Sequence, residues 1–209
     1  MKKATLSTFA IALLLFSIFS CGQGQSLTSV NQKSVELNNR AAELMAGGKY
    51  DEALPLLDSA LAISPSYEWA LTNKVLSLEY LGRASEVEPI IKTVIRYNKN
   101  NVNAWTKLGM YYDYFEDEKK AHKTYRHAIR LMSRQLGKNE GAISYSDRWI
   151  LHYLYGNQSE CDKILDSVKP DNPEYPLIRQ LHDEVAKKGK TAFLKRLFFP
   201  NSPESQTLQ

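Results

Sequence analysis

Trp105-Thr106-Lys107-Leu108-Gly109-Met110-Tyr111-Tyr112, followed after eight intervening residues by Ala121-His122-Lys123-Thr124-Tyr125-Arg126-His127-Ala128, decides the fold. Large and small apolar residues recur three and four positions apart in each half, the spacing of one helix face. The same pattern returns along the chain at a period of 34 residues. Ala53, Val87 and Ala121 form one column of the period, and Ala60, Val94 and Ala128 a second. Leu57, Ile91 and Tyr125 form a third, and Leu61, Ile95 and Ile129 a fourth. Gly48 recurs as Gly82, and Pro55 as Pro89. A fixed period of this length is the mark of a stacked-repeat architecture.

Trp105-x2-Leu108-Gly109-x2-Tyr112 with Ala121-x3-Tyr125-x2-Ala128 resembles the tetratricopeptide (TPR) signature, with Tyr125 in place of Phe. Gly48-x-Tyr50-x2-Ala53, Ala60-Leu61 and Pro65 supply its other half in an earlier copy. The resemblance implies an all-α fold, a right-handed TPR superhelix of helix pairs. It has repeats at about 34–67, 68–101 and 102–135, a degenerate fourth at about 142–175, and capping helices at 174–199. In the fourth copy Gly156 takes the place of Gly48, Cys161 that of Ala53, Leu165 that of Leu57, Val168 that of Ala60 and Pro173 that of Pro65. The copy is displaced by six residues, which the polar stretch from Ser133 to Gly141 can absorb. Its first helix is expected over Ile143–Tyr155, crowded with Tyr145, Trp149, Tyr153 and Tyr155.

The columns have a physical reading. Glycine closes the turn between two helices, because it takes the left-handed backbone without strain. Small residues stand where helices approach closely, and large ones fill the space beside them. Pro55 and Pro89 are expected near the first turn of the second helices, where a missing N–H costs least. No single copy can bury its apolar stripe, so the copies must stack. Cys161 is read as a packing residue of the Ala53 column.

The amino terminus carries a different message. Lys2 and Lys3 precede an apolar run from Phe9 to Phe19, the form of a secretory signal and too short for a comfortable membrane span. Ile18-Phe19-Ser20-Cys21 resembles the lipobox of bacterial lipoproteins, with Phe19 bulkier than is usual there. That resemblance implies cleavage after residue 20 and lipidation of Cys21, with a palmitate-type acyl anchor as the only attached group and no other cofactor. Gly22 is not the aspartate that retains such proteins in the inner membrane of many enterobacteria, so the outer membrane facing the periplasm is expected. Residues 21–33 are rich in Gly, Gln, Ser and Asn and read as the lipidated cysteine and a flexible tether, holding the domain on the order of 20 Å from the lipid. Residues 200–209 are expected to be a disordered tail.

Charge and cysteine content narrow the function. The 209-residue chain has a net charge of +4, and two of its lysines lie in residues 1–20. The remainder is nearly neutral, which argues against a nucleic-acid partner. The chain has two cysteines, one assigned to the anchor, so no intramolecular disulfide is expected. His122 and His127 stand five apart, outside the spacing of a helical zinc pair, and His152 and His182 belong to no motif. Gly47-Gly48-Lys49 lacks the rest of a phosphate loop, and Asn157-Gln158-Ser159 is uninformative in a bacterial lipoprotein. With no nucleophile–base arrangement, the chain is read as no enzyme, with no metal and no small-molecule substrate.

In TPR proteins the first helices line a concave groove that grips a peptide or helix. Carrying those positions across gives Asn38, Ala42, Met45 and Ala46 in the first copy, and Thr72, Leu76, Glu79 and Tyr80 in the second. The third supplies Thr106, Met110, Asp113 and Tyr114, and the fourth Ser146, Ile150, Tyr153 and Leu154. The groove reads as apolar, tyrosine-rich and mildly acidic, with no lysine or arginine at these positions and hence no clamp for a terminal carboxylate. The function this implies is a membrane-anchored adaptor that binds envelope proteins or peptides in the groove. A self-assembling structural subunit of the envelope is the alternative. Beyond the repeats, Pro176–Lys188 reads as a capping helix with Leu177, Ile178, Leu181 and Val185 on one stripe. Thr191–Phe199, flanked by lysines, reads either as a second cap or as a membrane- or partner-binding segment.

Overall fold

The computed structural model describes residues 30–138 and 143–198. The expectations for Cys21, for the signal and for the tail lie outside the described residues. Within them the chain is helical: α1 Gln32–Ala46, α2 Tyr50–Ile63, α3 Glu68–Tyr80, α4 Val87–Tyr97, α5 Val102–Tyr114, α6 Glu118–Leu136, α7 Tyr145–Tyr155, α8 Gln158–Ser167 and α9 Tyr175–Phe198. Consecutive helices pack as pairs, α1 with α2 through α7 with α8, and each pair stacks on the next. The first helix begins at Gln32, capped by the Asn31 side chain, so residues 32 and 33 of the expected tether are helical.

One turn closes every pair. In the first, Lys49 N–H donates to Leu44 O (2.9 Å) and Gly48 N–H to Met45 O (2.9 Å). The same two bonds recur as Arg83 to Leu78 with Gly82 to Glu79, and as Asp117 to Tyr112 with Glu116 to Asp113. In the fourth turn Asn157 donates to His152 and Gly156 to Tyr153. This is the Schellman arrangement, in which a residue of positive φ lets the last carbonyls find donors. Gly48, Gly82 and Gly156 supply that backbone with φ of 76°, 72° and 87°, and Glu116 adopts it at φ 61°. Asp117 and Asn157 then cap α6 and α8 through their side chains.

The small-residue columns lie where the helices meet. Ala53, Val87, Ala121 and Cys161 are all buried, as are Ala60, Val94, Ala128 and Val168. Leu57, Ile91 and Tyr125 fill the space beside them. Cys161 packs without any exposed surface against the Trp149 carbonyl, and burial pushes its thiol up to about 12, so it is neutral at physiological pH. The six-residue offset has its source in α6, which runs on to Leu136 where Gln135 donates to Asn100 O (2.7 Å).

Pro55 departs from the expected position. It lies inside α2, in the second turn rather than the first, where its ring removes one backbone donor. Pro89 does fall in the first turn of α4, whose start is delayed by a 3-10 turn over Ala84–Glu86.

Candidate functional site: the wall of first helices

The helices α1, α3, α5 and α7 occupy equivalent places in their pairs, and α1 touches α3 as α5 touches α7. They form a wall, and polar side chains cross-link it. Asn73 Nδ2 donates to Asn38 Oδ1 (2.9 Å) between α3 and α1, and both residues are buried. Lys107 Nζ on α5 lies 2.6 Å from Glu79 Oε1 on α3, again with both side chains buried. Burial raises the Glu79 carboxyl above its ordinary value, and the Lys107 ammonium opposes the shift. Such a pair is costly to break, since removing one partner strands a buried charge. At the far end Ser146 N–H and Oγ both donate to Glu174 Oε2, each at 2.9 Å.

The aromatic positions sit differently. Tyr80 is half-buried and stacks on Tyr50 with ring centroids 4.3 Å apart and planes 14° from parallel. Burial, with Tyr80 alongside, raises the Tyr50 phenol to about 12, so both rings remain neutral donors. Tyr114 is half-buried, with Phe115 edge-on at 5.1 Å. Tyr153 stacks on buried Trp149 at 5.3 Å. Three successive first helices thus each contribute a tyrosine that keeps part of its surface in contact with solvent.

Several assigned positions present little or nothing to an outside partner. Asn38, Met45, Thr72, Glu79, Thr106 and Met110 are buried among the helices, and Ser146, Ile150 and Leu154 likewise. Thr106 Oγ1 is consumed by Val102 O (2.9 Å). Leu76 is half-buried, while Ala42 and Ala46 are exposed. Most small and medium side chains on the inward face pack against the neighbouring helix, whereas the long rings of Tyr80, Tyr114 and Tyr153 keep part of their surface in solvent.

No lysine or arginine stands at the assigned positions, but two lysines from outside them meet the acids. Glu79 meets Lys107, one position beyond the assigned Thr106 and in the column of Asn73. Asp113, whose side chain is 7 % exposed, accepts from Tyr125 Oη (3.2 Å) and pairs with Lys190 Nζ at 2.9 Å. Lys190 belongs to α9, more than 70 residues away in sequence. A 34-residue comparison could have exposed Lys107 as the counterpart of Asn73 in the next copy; nothing periodic pointed to Lys190.

The long element α9 explains that contact. Gly189, at φ 76° and ψ 172°, breaks it into two helical arms. The first arm caps the last pair, with Leu177, Ile178, Leu181 and Val185 buried. The second turns back, so that the Arg196 guanidinium meets the Glu184 carboxylate. In an unbroken helix those residues would be about 18 Å apart along the axis. Phe193 and Leu194 are buried, and the Phe193 ring stands edge-on to Tyr153 with centroids 6.1 Å apart. α9 packs on α3, α5, α7 and α8. Of the two readings of this segment, the membrane face is corrected for Phe193 and Leu194, whose apolar surface is spent on the protein itself.

Among the described residues no group of three or more His, Cys, Asp or Glu is placed to hold a metal ion, and no helix is long and apolar enough to cross a membrane. No protein-family model matches the sequence, and no curated protein matches it. Among solved structures the chain is similar to the Sgt2 TPR domain from Aspergillus fumigatus, at 18 % identity and a TM-score of 0.50, over 72 % of this chain and 95 % of that one. The fold is therefore an all-α solenoid of the TPR kind.

Proposed function

We propose that the chain is a lipid-anchored adaptor of the bacterial cell envelope, acylated on Cys21, that holds a protein partner against the wall formed by α3, α5 and α7. The observation that carries the reading is the set of half-buried tyrosines, Tyr80, Tyr114 and Tyr153, one on each of three successive first helices. Tyrosine joins a large apolar area to a polar tip at low conformational cost, and it is enriched at protein interfaces for that reason. The acids of the wall, Glu79 and Asp113, are already paired with Lys107 and Lys190, so the tyrosine rings and not free charge are what the wall offers a partner. Export, lipidation at Cys21 and an outer-membrane position facing the periplasm rest on the resemblance of residues 1–21 to a lipoprotein signal.

Two experiments test this. Cys21→Ser should abolish palmitate labelling, since only the thiol accepts the lipid; continued labelling would remove the anchor from the reading. Affinity capture from detergent-solubilised membranes should recover a partner whose retention falls at least tenfold with Tyr80→Ala and Tyr114→Ala together, as hot-spot truncations do. Circular dichroism checks that the variant is folded. Full capture by a folded double variant would sink the tyrosine site. Concentration-dependent sedimentation with no captured partner would favour a self-assembling subunit instead.

A further inference from the structure

We infer that the wall is a helix-binding site whose resident ligand is the chain's own segment Lys190–Leu194, and that an outside partner binds by presenting a helix of the same chemistry. That chemistry is a basic residue followed three and four positions later by Phe and Leu. The inference deepens the adaptor reading and rests on it for the outside partner, while the intramolecular part stands on geometry alone.

The segment meets the wall as a ligand would. Lys190 supplies a cation to Asp113 on α5, at 2.9 Å. The Phe193 ring stands perpendicular to that of Tyr153 on α7, with centroids 6.1 Å apart, and both Phe193 and Leu194 are buried. Asp113 and Tyr153 are both positions expected from the sequence to face a bound peptide. The first arm of α9 already covers the apolar end of the last pair, so a cap does not need the second arm. Nor would the second arm stand alone, because a helix of its length is marginal in water. Docking on the wall holds it.

Gly189 lets the segment come and go. A single residue of positive φ joins the two arms, and Lys190 is half-exposed at the rim. Short tethers hold a ligand at an effective concentration of roughly millimolar order. A partner helix must outcompete that, so its apparent affinity is reduced by the occupied fraction. The device sets a threshold: weak or wrongly charged helices are excluded, and a helix with the matching Lys/Arg-x-x-Phe-Leu spacing displaces the segment.

The test uses the full chain in detergent and a fluorescent peptide of residues 187–199 as the probe. The release variant Phe193→Ala with Leu194→Ala should bind the peptide at least tenfold more tightly than the unaltered chain. Adding Asp113→Lys should weaken that binding at least fivefold, and a peptide carrying Lys190→Asp should restore it. A folded release variant that binds the peptide no better than the unaltered chain overturns the inference. Should the release variant unfold, Lys190→Glu in the full chain decides: hydrogen exchange of 190–198 should quicken at least threefold while α1–α8 stay protected. Unchanged exchange there overturns the inference equally. Peptide binding without any captured envelope partner would leave the resident ligand standing and sink the adaptor reading.

Discussion

Gly109 on α5 lies directly against the ring of Tyr125 on α6: a β-carbon at Gly109 would stand 2.4 Å from Tyr125 Cε1 and 2.5 Å from Cδ1. The ring has nowhere to go, being buried and tied through its hydroxyl to Asp113. Gly109→Ala gains up to about 1 kcal/mol of helix propensity. Overpacking costs about 1–3 kcal/mol, and against an immobile ring the upper end applies. The net expectation is a loss of about 1–2 kcal/mol, lowering the thermal midpoint by about 2–8 °C for a domain of this size. Tyr125→Leu in the same chain should recover part of the loss, whereas Tyr125→Phe should not, since the ring remains. An unshifted melting curve for Gly109→Ala would refute the contact.

Glu116 is the one described non-glycine residue at positive φ, and it holds the place that Gly48, Gly82 and Gly156 hold in the other turns. A side chain in this conformation costs roughly 1–2 kcal/mol, and glycine gives back part of the relief through its greater freedom in the unfolded chain. Glu116→Gly is expected to stabilise the fold by about 0.5–1 kcal/mol, while Gly82→Glu should do the reverse. Denaturant midpoints at constant m-value measure both. A stabilised Gly82→Glu would contradict the shared turn geometry.

Asp147 makes stability depend on pH. Burial raises its carboxyl to about 6 from a value near 3.8, with Ser144 opposing and Glu174 adding to the shift. The unfolded chain ionises the group near pH 4, and the native state resists ionising it until about pH 6. Its contribution is thus fully present below pH 4, declines as pH rises, and is lost above pH 6. The shift corresponds to on the order of 2–3 kcal/mol. Asp147→Asn should therefore raise the thermal midpoint at pH 7.5 more than at pH 4.5. A pH-independent difference between variant and parent would show that the carboxyl titrates normally.

The repeat was legible because it is a packing constraint written four times. Ala53, Val87, Ala121 and Cys161 must all be small for the same reason, so their column survives changes of residue type. Even the degenerate copy could be placed, since Gly156 marks its turn by backbone geometry that few residues tolerate. The wall was harder. Periodicity tells which residues face inward but not how far each side chain projects, so Met110 and Thr106 were grouped with Tyr114 although they stop at the neighbouring helix. Glu79 was read without Lys107 because the pairing crosses between copies. Lys190 was out of reach altogether: its contact with Asp113 depends on the chain reversing at Gly189, and the glycine that permits a reversal does not specify where the returning arm lands.

The returning arm changes how the solenoid should come apart. Linear repeat arrays are held by nearest-neighbour interfaces, so their ends can melt ahead of their centres. Here α9 touches α3, α5 and α7, which belong to three different pairs. Loosening any of them disturbs contacts shared with the other two. The last three pairs are thereby bound into one cooperative unit, while the pair α1 and α2 lies at the end where fraying can begin.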